Sequence, residues 1–213
     1  MIDLSFEVTG SEVEPYAAVP TISLGLRIAE GTGVPVHALV LRVQIRIEPQ
    51  RRTYGADERG RLVELFGDSP QWGETLRPFQ WAQLSAAVPS FSSLTVVQLP
   101  LTCTYDLEVA ATKYLYNVRS GEVPLVLLFS GTALSSGPDG LVVEPVPWHL
   151  EARYRLPVAH WRGAIECHFP NSGWLRLSQA NLDALQAFRA RQALPTWDHA
   201  IEHLLKLAGV EPS

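Results

Sequence analysis

At 213 residues, with 46% hydrophobic and 18% charged side chains, the chain is long enough to bury a substantial core without disulfide or metal staples. Its formal charge of −5 argues against a general nucleic-acid binder, which needs a concentrated excess of Lys and Arg to neutralise phosphates. Two cysteines, Cys103 and Cys167, make neither a disulfide framework nor a zinc site and are expected as reduced thiols, and no apolar run approaches the roughly 20 residues that cross a bilayer.

The N-terminal "MIDLSFEV" lacks the basic region and apolar core of a secretory signal, so a soluble, cytoplasmic protein is expected. It alternates instead: Ile2, Leu4, Phe6 and Val8 against Asp3, Ser5 and Glu7. Alternate side chains of a strand fall on one face of a sheet, and the same pattern recurs at Ile22, Leu24, Leu26 and Ile28 and at Leu41, Val43, Ile45 and Ile47. These segments predict a half-buried antiparallel sheet.

From Gly55 to about Pro89 the period changes. "ADERGRLVELFG" fits a short helix with acidic residues in its first turns, where the helix dipole favours them. "DSPQWGETLRPFQWAQ", rich in Pro, Gly and Trp, reads as a packed irregular excursion. Strands return at "SLTVVQLPLTCTYDLEVA", a short helix is expected in "ATKYLYNVRSGE", and "SSGPDG" between two apolar runs predicts a hairpin. The last third is helical by its spacing: Val158, Trp161, Ile165 and Phe169 after Pro157, then a helix capped by Ser178, then one capped by Thr196 whose buried stripe is Trp197, Ile201, Leu204, Leu205 and Ala208. The expected fold is therefore α+β, an antiparallel sheet or two-sheet sandwich over residues 1–156 with the excursion at about 55–89, and a helical section over 157–213 packed on it within one globular unit.

"HFPNSGWLRL" concentrates a histidine, a serine and a tryptophan just after Cys167. A catalytic thiol needs a base within reach, but Cys167 and His168 are neighbours on a helix and point about 100° apart. Pro170 ends that helix, Asn171 and Gly173 tolerate left-handed backbone, and Ser172 lacks the G-x-S-x-G turn of a nucleophile elbow. The stretch is read as architecture. His199 and His203 are spaced for one metal, yet Ala200 stands where the zincin pattern needs Glu and no third ligand is identifiable. Asp106, Glu108 and Glu122 near Lys113 and Arg119 read as surface ion pairs, and no Gly-rich phosphate loop is present. No catalytic residue, metal site or cofactor is therefore assigned.

The run "RVQIRIEPQRRTYGADERGR" is the main charge feature. Arg42 and Arg46 fall on the outer face of a strand, Arg51, Arg52 and Tyr54 just beyond its end, and together they form a candidate docking patch for an acidic protein partner, softened by Glu48, Asp57 and Glu58. Of the six tryptophans most serve a core, and one exposed beside a proline marks an interface; Trp174 joins the candidate patch.

The segments "EPYAAVPTISLGLRI", "IEPQRRTY", "LRPFQW", "KYLYNVRSGEVPLVLLFSGT", "VPWHLEARYRLPVAHWR" and "HFPNSGWLRL" together resemble, over nearly the full length, an uncharacterised bacterial family, a domain of unknown function from high-GC genomes encoded near high-affinity uptake [NiFe]-hydrogenase genes. The resemblance implies a non-enzymatic accessory or scaffold role for that enzyme, acting by protein–protein binding. "ISLGLRI", "VLRVQIRI" and the late "LRLSQANLDALQAF" are also similar to the strand meander and C-terminal helix of SecB-type export chaperones, which implies a chaperone-like alternative. A small enzyme or metal binder is the third reading, and self-association stays open.

Overall fold

The computed structural model describes residues 2–104, 106, 109–137, 140–173 and 175–210. The chain divides into two compact units, residues 1–174 and 175–213. The first holds eight strands among the described residues: β1 (Leu4–Val13), β2 (Thr21–Glu30), β3 (Val36–Ile47), β4 (Phe79–Val88), β5 (Leu94–Thr102), β6 (Glu122–Gly137), β7 (Gly140–Pro145) and β8 (Glu151–Pro157). They form two antiparallel sheets, β1-β2-β5 and β4-β3-β6, and β7 and β8 share the far edge of β6.

The period-2 pattern accounts for how the sheets meet. Ile22, Leu24, Leu26 and Ile28 of β2 and Leu39, Leu41, Val43, Ile45 and Ile47 of β3 are buried in one continuous core. Phe6 of β1 stacks on Phe129 of β6 with ring centroids 4.1 Å apart, a contact between the two sheets that contributes roughly 0.5–1.5 kcal/mol beyond area burial. The protein is thus an α+β sandwich.

Two bulges adjust this pattern. In β1 the register slips between Val8 and Gly10, which turns Ser11 inward where simple alternation would place Gly10. In β4 an extra residue, Trp81, lies between the partners of Ile45 and Arg46. That second bulge, with small Ala82 and Ala86 at inward positions, hides the alternation of β4. The segment expected to stay irregular to about Pro89 is consequently a strand from Phe79 onward.

The remainder of the excursion is packed, as its tryptophan content predicts. α1 (Ala56–Arg61), α2 (Val63–Phe66) and α3 (Trp72–Thr75) lead into β4, and α4 (Ala110–Asn117) follows β5. Their aromatic rings close on one another: Tyr54 meets Trp72 at 5.2 Å, and Tyr114 meets Phe66 at 6.1 Å and Phe79 at 5.8 Å. Tyr54 donates its one O–H to the Pro49 carbonyl at 2.8 Å, so the 2.7 Å contact with Tyr114 is a bond donated by Tyr114. α5 (Val158–His168) follows β8 directly and buries Val158, Trp161 and Ala164 against the sandwich.

In the second unit α6 (Gln179–Arg191) and α7 (Trp197–Leu207) are capped as the sequence predicts: Ser178 accepts from the Asn181 N–H and Thr196 from the His199 N–H. The Arg189 guanidinium sits 4.0 Å over the Trp197 ring. The expected buried stripe of α7 is not buried: Trp197, Ile201, Leu204 and Ala208 are exposed and Leu205 is half-buried, whereas Ala200, outside that stripe, is the buried residue of the helix.

Candidate functional site

Within "HFPNSGWLRL" the histidine is engaged in structure. His168 Nδ1 lies 3.0 Å from the Ala164 carbonyl and Nε2 lies 2.8 Å from the Ala17 carbonyl, so the ring pins the end of α5 to the β1–β2 connection. Neither nitrogen is free to serve Cys167, which is exposed. Asn171 has the left-handed backbone its type tolerates, φ 50°, and Ser172 is exposed. Cys103 is buried, and that burial pushes its thiol up to about 12.

His199 Nδ1 bonds the Thr196 hydroxyl and His203 rests against Phe188. Among the described residues no group of three His, Cys, Asp or Glu could hold a metal. Lys113 pairs with Glu64, whereas Glu108 lies outside the described residues.

The fold also assembles one trio invisible in the sequence. Ser11 Oγ lies 2.6 Å from His160 Nδ1 and 2.8 Å from the Tyr154 hydroxyl, joining β1, β8 and α5 across up to 149 positions of chain. A hydroxyl beside an imidazole suggests a nucleophile and base. Here Ser11 is 8% exposed and, among the described residues, no carboxylate orients the imidazole, so the trio reads as a clamp holding α5 to the sheet.

The five described residues of the predicted docking patch face different ways. Arg42 and Arg46 stand on the outer face of β3, opposite Ser85 and Ser130 and opposite Gln80 and Val126 respectively. Arg42 is exposed and, among the described residues, neither guanidinium has a carboxylate partner; Arg46 reaches only the Pro78 carbonyl at 3.4 Å. Arg51 lies 3.0 Å from Glu48 and borders a depression of about 240 Å³ with Arg153 and Arg155.

Arg52 and Tyr54 turn the other way. Arg52 bonds Glu58 at 2.9 Å and the Ser120 carbonyl at 2.8 Å, its guanidinium lies 5.3 Å from the Tyr54 ring, and Tyr54 is 5% exposed inside the aromatic cluster. Both side chains are committed to packing the excursion just after the 3-10 turn at Pro49–Arg51, Arg52 through Glu58 of α1 and Tyr54 through Trp72 and Tyr114. Trp174 lies outside the described residues.

Two surface features were not singled out by sequence reasoning. Trp148, after Pro147 in the connection between β7 and β8, is 87% exposed and is the tryptophan beside a proline that fits the interface criterion, although the sequence reading placed Trp174 in the patch. Arg61, Arg119 and Arg162 come from three separate segments and line one depression of about 300 Å³ with Tyr116 and Asn117. Burial, then repulsion from Arg119 and Arg61, pulls the Arg162 guanidinium below its ordinary value. No spacing in the sequence could reveal this cluster.

By fold and surface, then, the molecule is an antiparallel two-sheet α+β sandwich carrying arginine-lined surface sites. The chain belongs to DUF6084, a family of unknown function, matched over residues 1–213. No curated protein matches it. Similar solved structures include a CARDB domain from Pyrococcus furiosus at 11% identity and TM-score 0.29, covering 73% of this chain and 92% of that one. A putative ApaA protein from Bordetella pertussis follows at 14% identity and TM-score 0.25, covering 73% and 93%. A β-glucosidase from Kluyveromyces marxianus is similar at 7% identity and TM-score 0.27 over 72% of this chain, which spans only 15% of the enzyme's length. Likenesses this slight carry no activity across.

Proposed function

We propose that this protein is a non-enzymatic accessory or scaffold protein of the cytoplasm that binds a protein partner through the outer face of the β3-containing sheet, and that the partner is a subunit of a [NiFe]-hydrogenase system. One observation carries the reading: on that face Arg42 and Arg46, without a carboxylate partner among the described residues, adjoin exposed apolar side chains. Val40 is 54% exposed on β3, and Val143 is 63% exposed on the same face of β7, two positions further along, since Val40 pairs with Thr132 and Val143 with Leu134. An apolar centre beside guanidinium groups is how protein interfaces are commonly built, and Arg and Trp are the residue types that most often dominate them. The acidic balance of the chain makes these two arginines more notable, since carboxylates are available to pair them. The hydrogenase assignment rests on the family resemblance, and the acidic-partner assignment on charge complementarity.

The test is co-purification of the tagged full chain from its native host, with hydrogenase subunits quantified. Wild type is expected to retain them in fixed stoichiometry, Arg42→Glu/Arg46→Glu to lose them at least about tenfold, and Trp148→Ala to weaken retention similarly. Absence of hydrogenase subunits from the wild-type preparation would remove that partner, and undiminished retention by the double variant would remove the face. Val40, Leu141 and Val143 favour a second, chaperone-like reading, which predicts many unfolded clients and no fixed partner.

A further inference from the structure

Arg61 ends α1, Arg119 follows α4, and Arg162 lies within α5, and the depression they share is open to solvent on the first unit. Part of their role is structural. Arg61 Nε donates to the Asn117 carbonyl at 3.1 Å, and Arg162 Nη2 donates to the carbonyls of Tyr116 at 2.9 Å and Val118 at 3.3 Å, closing the C-terminal end of α4.

That role needs far less charge than is present. A helix C-terminus carries roughly half a negative charge, which one cation offsets, whereas three guanidinium groups bring three positive charges. Four arginines elsewhere on the chain are paired with carboxylates: Arg27 with Glu7, Arg51 with Glu48, Arg52 with Glu58 and Arg153 with Glu151. Among the described residues no carboxylate lies within ion-pair distance of Arg61, Arg119 or Arg162. Moreover, Arg162 Nε is buried without a hydrogen-bond partner. Gathering like charges and burying an unmet donor both cost free energy, and an anion from outside offsets both.

The geometry points to an oxyanion site: Arg61, Arg119 and Arg162 hold the phosphate group of a small phosphomonoester. A phosphate dianion supplies two charges and three acceptor oxygens to planar guanidinium forks, where a carboxylate supplies one charge and two oxygens. The depression, about 300 Å³, suits a phosphate and a small organic group but not a large cofactor. Tyr116, 54% exposed on its lining, supplies an aromatic side chain beside that organic group. The site stands apart from the partner-binding reading and does not depend on it.

Calorimetric titration of the full chain with phenyl phosphate, inorganic phosphate and acetate at fixed ionic strength tests the assignment. Phenyl phosphate is expected to bind several-fold more tightly than inorganic phosphate and at least about tenfold more tightly than acetate, with affinity rising through about pH 6 as the ester becomes a dianion. Arg119→Gln, an exposed position with no ion-pair role, is expected to weaken phenyl phosphate about tenfold while Arg42→Gln leaves it unchanged. Acetate binding equal to the phosphates overturns the phosphate assignment, and equal affinity for the ion and the ester overturns the ester. Binding that is absent, or that Arg119→Gln leaves intact, overturns the site.

Discussion

Glu30 shows how much one buried side chain organises. It is 5% exposed at the end of β2, and its carboxylate accepts from the Thr32 hydroxyl at 2.6 Å and from the N–H groups of Asp3, Thr32, Gly33 and Val34. Burial alone pushes the carboxyl up, but these hydrogen bonds outweigh it and hold the group at about 2, against an ordinary 4.5. The folded-state value lies below the unfolded one, so this stabilisation is complete above about pH 4.5 and is withdrawn as the pH falls towards 2. Glu30→Ala is expected to cost about 2–3 kcal/mol at neutral pH in denaturant unfolding, because it orphans buried donors. The gap between wild type and Glu30→Gln should narrow over that acid window; a gap independent of pH there would contradict the assignment. The two thiols give a second residue-scale expectation. Cys103 is buried and its thiol is held protonated, so a thiol reagent at about pH 8 should titrate one group, Cys167, in the native protein and two only after denaturation.

Among the elements, β6 does the most. Its lower half pairs with β8 through Glu122–Leu128 and its upper half with β7 through Thr132–Gly137, and the changeover falls at Gly131. That glycine has φ 146°, and a Cβ there would stand 2.0 Å from the Val40 carbonyl oxygen on β3. Backbone conformation and contact both demand glycine. Gly131→Ala should therefore cost about 3 kcal/mol, read as a fall of about 6–12 °C in thermal midpoint. A neutral substitution would mean that β3 and β6 lie farther apart than this. The hairpin itself was legible from "SSGPDG" between apolar runs, although its tip at 138–139 lies outside the described residues. β4 was not legible, because a bulge and two alanines interrupt the alternation on which strand recognition depends.

At the scale of the molecule, the buried core among the described residues draws its members from Ile2 to Ala164, all within the first unit. We propose that residues 1–174 make a self-sufficient folding unit. A chain ending at residue 174 is expected to keep its sheet signature in circular dichroism and to melt in one cooperative transition. A non-cooperative, dye-binding product would show instead that the core depends on residues 175–213.

The sequence by itself determined the inward-facing rows of β1, β2 and β3, the helix caps at Ser178 and Thr196, and the placing of Arg42 and Arg46 on an outer sheet face. Each of these follows from periodicity or from chemistry within a few residues. Only the tertiary structure decided that Arg52 and Tyr54 turn inward, that His168 is spent on two carbonyls, and that Ser11 meets His160 while Arg61, Arg119 and Arg162 converge. Those groupings join residues many tens of positions apart, and a spacing rule reaches only as far as one helix or strand. Beyond that length, burial and sheet register choose which side chains become neighbours.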